Sequence, residues 1–217
     1  MTQVIAKTMS RRTQAARRAE SERRMLRAAS YLISHKGLRG ATLAEVGVLA
    51  GYSSGLAVSR YGGKAGLVEA LLEAMDQWRQ ATFAEATAGL EGLSALRARI
   101  EVYVGGARAI PDGALALQMI RVEAPHALPS LLPRLDAMSR RWREGIQSDL
   151  EQARALGETR ADLDCEAYAE LILGAMQGLM TGRTGEPLAK LQRTLPVLIC
   201  EMVRLQDRGS ATTCVGR

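Results

Sequence analysis

Four residues between positions 42 and 53 constrain the fold more than any bulk property of the chain. Thr42 and Glu45 form a T-x-x-E pair, in which a hydroxyl caps one helical amide and a carboxylate answers the cap's own amide, so a helix starts at a defined residue. Gly51 supplies the left-handed conformation that ends it, and Ser53 stands ready to cap a second helix running from Ser54 to Arg60. The spacing predicts two short helices, with Leu43, Val46 and Leu49 turned inward, joined by a tight turn in helix-turn-helix geometry. An ordinary helical hairpin has the same spacing, and charge separates the two readings. Lys and Arg outnumber Asp and Glu by twelve to three over Met1 to Lys64, whereas the rest of the chain carries seventeen against twenty. Basic charge gathered around a helix-turn-helix is the footprint of a polyphosphate partner, the alternative being a solvated, self-repelling arm.

Hydrophobic residues make up 47% of the 217 positions, enough to bury a core, while aromatics are only 4% and strand formers are scarce. The expected fold class is all-α, with about nine helices. No apolar run approaches the roughly 18 residues of a membrane span, and the first residues have no secretory pattern. The three cysteines, Cys165, Cys200 and Cys214, are odd in number and widely spaced, which fits a reducing cytoplasm and buried or incidental thiols.

Periodicity and punctuation divide the chain into a basic flexible arm (1–20), a three-helix DNA-binding unit (21–68), a larger helical domain (69–206) and a flexible tail (207–217). The arm carries Arg11 and Arg12, placed to lie along phosphates or enter a minor groove. The first helix repeats Met25, Leu26, Ala29, Leu32 and Ile33 on one stripe up to Gly37, with Leu38 tucked back after it. In the larger domain, helices are expected over 93–109, 112–124, 131–156, 166–181 and 188–205, with Pro125, Pro129 and Pro133 marking a bend.

Gly174, Gly178 and Gly182 recur at four-residue steps and clear a strip along one helix. With Leu195, Ile199 and Met202 on the last helix they can form a homodimer interface as a four-helix bundle, although packing within one chain meets the same spacing. Trp78, Phe83, Tyr103, Met119, Met138, Trp142 and Met176 are candidates to line an effector pocket, with Glu123 orienting a polar end; each taken singly also fits as core. Gly105 and Gly106 read as a kink or packing site. The two histidines, His35 and His126, have no partner at metal or triad spacing, and no catalytic motif appears, so no enzyme activity, cofactor or metal is expected.

The stretches RAASYLISHKGLRGATL, GYSSGL and RYGGKAGLVEALL, in that order, resemble the DNA-binding pattern of the TetR family of bacterial transcriptional regulators, and GETRADLDCEAYAELILGAMQGL is similar to the family's first dimerisation helix. The resemblance implies a homodimer on a palindromic double-stranded operator, released by a small-molecule effector. It assigns DNA contacts to Thr42, Ser54, Gly55, Leu56, Val58, Ser59 and Lys64, and packing to Ala57 and Tyr61. Chemistry adds that Lys64 suits a phosphate, Ser54 and Ser59 suit base edges, and Arg60 can reach guanine or phosphate. Apolar Leu56 and Val58 stand where the family often has a threonine and an aromatic, and Gly62–Gly63 replaces a more usual Pro or Ser. The leading expectation is a ligand-released repressor. A sequence-indifferent nucleic-acid-binding protein and a small helical enzyme are the alternatives.

Overall fold

The computed structural model describes the backbone of residues 2–178 and 186–203, and side chains over 14–106, 109–178 and 194–203. Among these residues there are nine α-helices and no strand: α1 Thr2–Gly40, α2 Leu43–Leu49, α3 Ser54–Tyr61, α4 Lys64–Thr87, α5 Gly92–Ala109, α6 Pro111–Ala127, α7 Leu132–Ala155, α8 Cys165–Gly178 and α9 Glu186–Val203, with a single 3-10 turn at Pro129–Leu131 before α7. The all-α expectation holds. No helix of the described residues is long and apolar enough to cross a membrane. Gly182 and the 207–217 tail lie outside the described residues, as do the side chains of Arg11 and Arg12.

Three local expectations differ in outcome. The arm does not form a separate segment, because helix α1 already begins at Thr2 and continues without interruption to the kink at Gly37, where φ is 76°. Pro125 does not end α6; it sits in the last turn, where only one amide bond is lost, and Leu128 closes the helix by donating to the Ala124 carbonyl. Leu49 does not turn inward: it is 51% exposed, because at about 100° per residue it falls some 60° to the far side of Val46 from Gly47 and Ala50, off the buried arc that those three share.

The chain forms two compact units, one of residues 1–81 with 106–139, the other of 82–105 with 140–217. This division differs from a boundary near residue 68. Its cause is α6, which packs along α1 and so joins the helix-turn-helix to a segment distant in sequence. In the first unit Met25, Ile33, Leu38, Leu72, Ile120 and Met138 are fully buried.

The second unit is centred on Leu96, Ile100, Ile146, Leu150 and Ile172. Within it Arg99 donates from Nε and Nη2 to the two oxygens of buried Asp149, at 2.6 and 3.1 Å. The guanidinium lies 5.2 Å from the Phe83 ring centre, and a side chain at Gly145 would place a carbon 2.8 Å from Arg99 Nη1. Gly145 therefore makes room for a two-pronged, ring-covered ion pair, the geometry in which a buried charge is tolerated.

Candidate nucleic-acid interface

The capping box forms in full. Thr42 Oγ1 accepts from Glu45 N at 3.2 Å, while Glu45 Oε2 accepts from Thr42 N at 3.1 Å and from Thr42 Oγ1 at 2.8 Å. Lys36 Nζ donates to Glu45 Oε1 at 2.6 Å. Hydrogen bonds from Lys36 first, then from Thr42, lower the Glu45 pKa to about 2. Thr42 was expected at DNA, yet its hydroxyl proton is directed to Glu45.

The α2–α3 turn is a Schellman closure: Gly51, at φ 84°, donates to Val48 O at 3.0 Å, and Tyr52 donates to Gly47 O at 2.9 Å. Ser53 takes the N-cap position of α3 with extended backbone, but its side chain makes no cap bond. The turn also needs Gly47. A β-carbon there would lie 2.6 Å from the Ser53 carbonyl oxygen, so the two helices approach more closely than any side chain permits. Gly66 plays the same part between α3 and α4, where a β-carbon would lie 2.1 Å from Tyr61 O. Neither role was recognised in the sequence, since an isolated helical glycine carries no local signal of what packs on it.

Helix α3 presents three faces. Ala57 is fully buried and Tyr61 half-buried, forming the inner face. Tyr52, Leu56 and Arg60, at steps of four, turn towards α1: Tyr52 and Leu56 share a groove with Ala16, Arg17, Arg18, Glu20, Ser21 and Arg24, and Arg60 Nη1 donates to the Arg18 carbonyl at 3.3 Å. The remaining face, Ser54, Gly55, Val58 and Ser59, is exposed. Of the residues expected at DNA on α3, these four are brought together on one solvent-facing stripe, whereas Leu56 and Arg60 stand on the side that meets α1.

Lys64 is placed differently from a free phosphate contact. Its ammonium donates to Leu38 O at 3.1 Å and Arg39 O at 2.9 Å, closing the C-terminal end of α1. Glu123 of α6 completes the same junction: its Oε2 accepts from Arg39 N at 3.1 Å, and its Oε1 occupies the space a β-carbon at Gly37 would need, 2.6 Å away. The loop after the Gly37 kink is thus held by a cation on its carbonyls and an anion on its amide. Glu123, expected to orient an effector, is engaged here with α1.

The other pocket candidates divide between the units. Trp78, Met119 and Met138 belong to the first, where Trp78 is 40% exposed, stacks with Arg79 and passes over Gly106, on which a β-carbon would lie 3.3 Å from the indole. Gly106 is therefore a packing site. Phe83, Tyr103, Trp142 and Met176 belong to the second unit and are buried; Tyr103 and Trp142 meet edge to face at 5.7 Å.

On α8, Leu171, Gly174, Ala175 and Gly178 form an exposed strip, and no described atom lies within 4 Å of a β-carbon placed on Gly174 or Gly178. On α9 the exposed apolar side chains among the described residues are Val197, Leu198 and Met202, whereas Leu195 and Ile199, expected at the same surface, are 8% and 5% exposed and so buried within the chain. Leu171 and Val197 were not recognised in the sequence. Cys165 and Cys200 are buried and joined in no disulfide, and burial pushes the Cys165 pKa up, away from a reactive thiolate.

Residues 89–184 match the sequence family described as tetracyclin repressor-like, C-terminal domain. No curated protein sequence matches the chain. Among solved structures, a TetR-family transcriptional regulator from Rhodococcus sp. is similar at TM-score 0.73 and 24% identity, over 85% of this chain and 98% of that one. The fatty acid degradation regulator FadR from Bacillus halodurans is similar at TM-score 0.75 and 14% identity, over 86% and 97%. A TetR-family regulator from Agrobacterium tumefaciens is similar at TM-score 0.74 and 20% identity, over 85% and 98%. At such identities the likeness is one of fold.

Proposed function

We propose that this chain is a TetR-family DNA-binding repressor that grips a palindromic operator as a homodimer and lets go when a small apolar or amphipathic effector binds outside the helix-turn-helix, a reading supported by the family match over residues 89–184 and by the fold shared with solved TetR-family regulators. One observation carries the reading: the outer face of α3, Ser54, Gly55, Val58 and Ser59, is exposed and carries none of the internal contacts that engage its other two faces, in the stretch of chain that holds the excess of basic residues. Two serine hydroxyls can meet base-edge donors or acceptors, Gly55 allows close approach, and Val58 suits a thymine methyl. The exposed apolar strips of α8 and α9 support self-association, since a strip of small residues lets a second helix come close.

The test is selection of duplexes by the full-length protein from a random pool. The reading expects a twofold-symmetric sequence whose half-sites are about one helical turn apart, or a multiple of it. Ser54→Ala and Ser59→Ala should each relax the preference at one base pair per half-site. Recovery of duplexes with no common sequence, bound with equal affinity, would instead indicate a sequence-indifferent nucleic-acid-binding protein.

A further inference from the structure

We propose that Ser34 and His35 of α1 and Asp112 of α6 form a proton-sensing clasp, closed most firmly when the imidazole is charged, that makes operator binding tighter at acid pH. The inference rests on the reading of α3 as the base-contacting helix and adds to it a control by pH.

The three side chains meet where the first turn of α6 lies against α1, within one compact unit. A β-carbon on Gly113 would stand 3.9 Å from Ser30 Oγ, so the two helices touch beside the cluster. Ser34 Oγ lies 2.8 Å from Tyr31 O, 2.9 Å from His35 Nδ1 and 3.1 Å from Asp112 Oδ1. One hydroxyl proton therefore faces three atoms that can accept it. His35 Nδ1 is in turn 2.9 Å from Tyr31 O, a distance at which two lone pairs repel unless a proton lies between them.

A neutral ring carries its one N–H proton on either nitrogen, whereas the imidazolium always carries one on Nδ1. With that proton in place every contact in the cluster is satisfied: Nδ1 donates to Tyr31 O, and Ser34 donates across to Asp112. The positive charge then stands 3.9 Å from the Asp112 carboxylate. Tyr31, stacked on the ring at 4.1 Å between centres, holds its plane. Asp112 is the charged group that faces the ring from α6, while towards α2 Lys36 and Glu45 are engaged with each other at 2.6 Å. Histidine is the side chain that gains its charge between about pH 8 and pH 5, so the ionic part of the clasp is present at acid pH and is lost as pH rises through that range. The clasp is formed in the same arrangement that leaves the outer face of α3 exposed and seats Arg60 on α1, so proton uptake and operator binding favour each other. The two side chains are 51% and 46% exposed, so water screens the pair and holds the effect to about threefold in affinity.

The experiment measures the affinity of the full-length protein for the selected duplex and for an unrelated one, by fluorescence anisotropy at about pH 5.5 and pH 8 and one ionic strength, alongside urea unfolding of the DNA-free protein. From pH 8 to pH 5.5 the parent's affinity for the operator should rise about threefold more than its affinity for the unrelated duplex. His126→Gln, which alters the chain's other imidazole, should keep that gain, whereas His35→Gln and Asp112→Asn should each lose it. In urea, a double-mutant cycle on His35→Gln and Asp112→Asn should show a coupling about threefold larger in equilibrium constant at pH 5.5 than at pH 8. Both side chains are about half exposed, so the variants should keep the parent's circular dichroism. A parent whose preference for the operator is the same at both pH values would overturn the inference. So would a gain that survives Asp112→Asn, which would mean that charge on the ring attracts DNA directly, or a cycle with equal coupling at both pH values. Acid-dependent coupling in a protein that selects no common duplex refutes the function proposed above and upholds the clasp itself.

Discussion

Replacing Gly47 by alanine sets two effects of opposite sign against each other. Gly47 lies inside α2, where alanine favours the helix over glycine by about 1 kcal/mol. Against this, the new β-carbon would stand 2.6 Å from Ser53 O and 3.3 Å from Ser53 C and Ser54 Cα, all backbone atoms that cannot swing aside. Ordinary contact begins near 3.4 Å, so the α2–α3 turn must open by about 0.8 Å. That movement pulls on the bond from Tyr52 N to Gly47 O, which closes the turn. Overpacking of this kind costs about 1–3 kcal/mol, and a backbone neighbour puts it at the upper end. The clash therefore wins, and Gly47→Ala should lower stability by about 1–2 kcal/mol net. Gly55→Ala is the matched control, because nothing lies within 4 Å of its β-carbon and it sits inside α3. That change should raise stability by up to about 1 kcal/mol while weakening operator binding. Urea unfolding followed by circular dichroism reads the first quantity, fluorescence anisotropy with operator duplex the second. A Gly47→Ala protein as stable as the parent would refute the close-approach argument.

Lys64→Ala should weaken operator binding by loosening the α1–α4 junction, yet leave the salt slope unchanged, since its ammonium caps Leu38 and Arg39 carbonyls; a slope lower by about one would return Lys64 to the phosphate contacts. The depressed Glu45 pKa gives a pH window: the carboxylate's contribution to stability is fully present above its unfolded value of 4.5 and is lost as pH falls through about 2. Urea midpoints of parent and Glu45→Gln should therefore converge between pH 5 and pH 2, and a constant gap would show that the capping carboxylate is not the group titrating. Gly174→Leu fits the isolated chain, as no described atom lies within 4 Å of its β-carbon. It should yield folded monomers in sedimentation, and an unchanged dimer would move the interface elsewhere.

What was legible in the sequence was local. The Thr42–Glu45 box, the left-handed Gly51, the stripe from Met25 to Ile33 and the buried Leu38 each depend on residues within a few positions of one another, so spacing alone determines them. The same holds for the all-α class, which follows from helix-forming composition and regular punctuation. Within α3, the family resemblance rather than periodicity separated buried Ala57 from exposed Ser54, Val58 and Ser59. Only the tertiary structure decided which neighbour each remaining side chain meets. Lys64 reaches carbonyls 26 and 25 residues back, and Glu123 reaches an amide 84 residues away. Leu56 and Arg60 turn to α1, while Leu195 and Ile199 are buried within the chain and leave Leu198 and Met202 outside. A cation's preference for phosphate or carbonyl, or an apolar residue's for its own core or a partner's, is a competition between surfaces far apart in the chain. Periodicity gives the direction of a side chain around its own helix, but the surface waiting there exists only once the helices have packed.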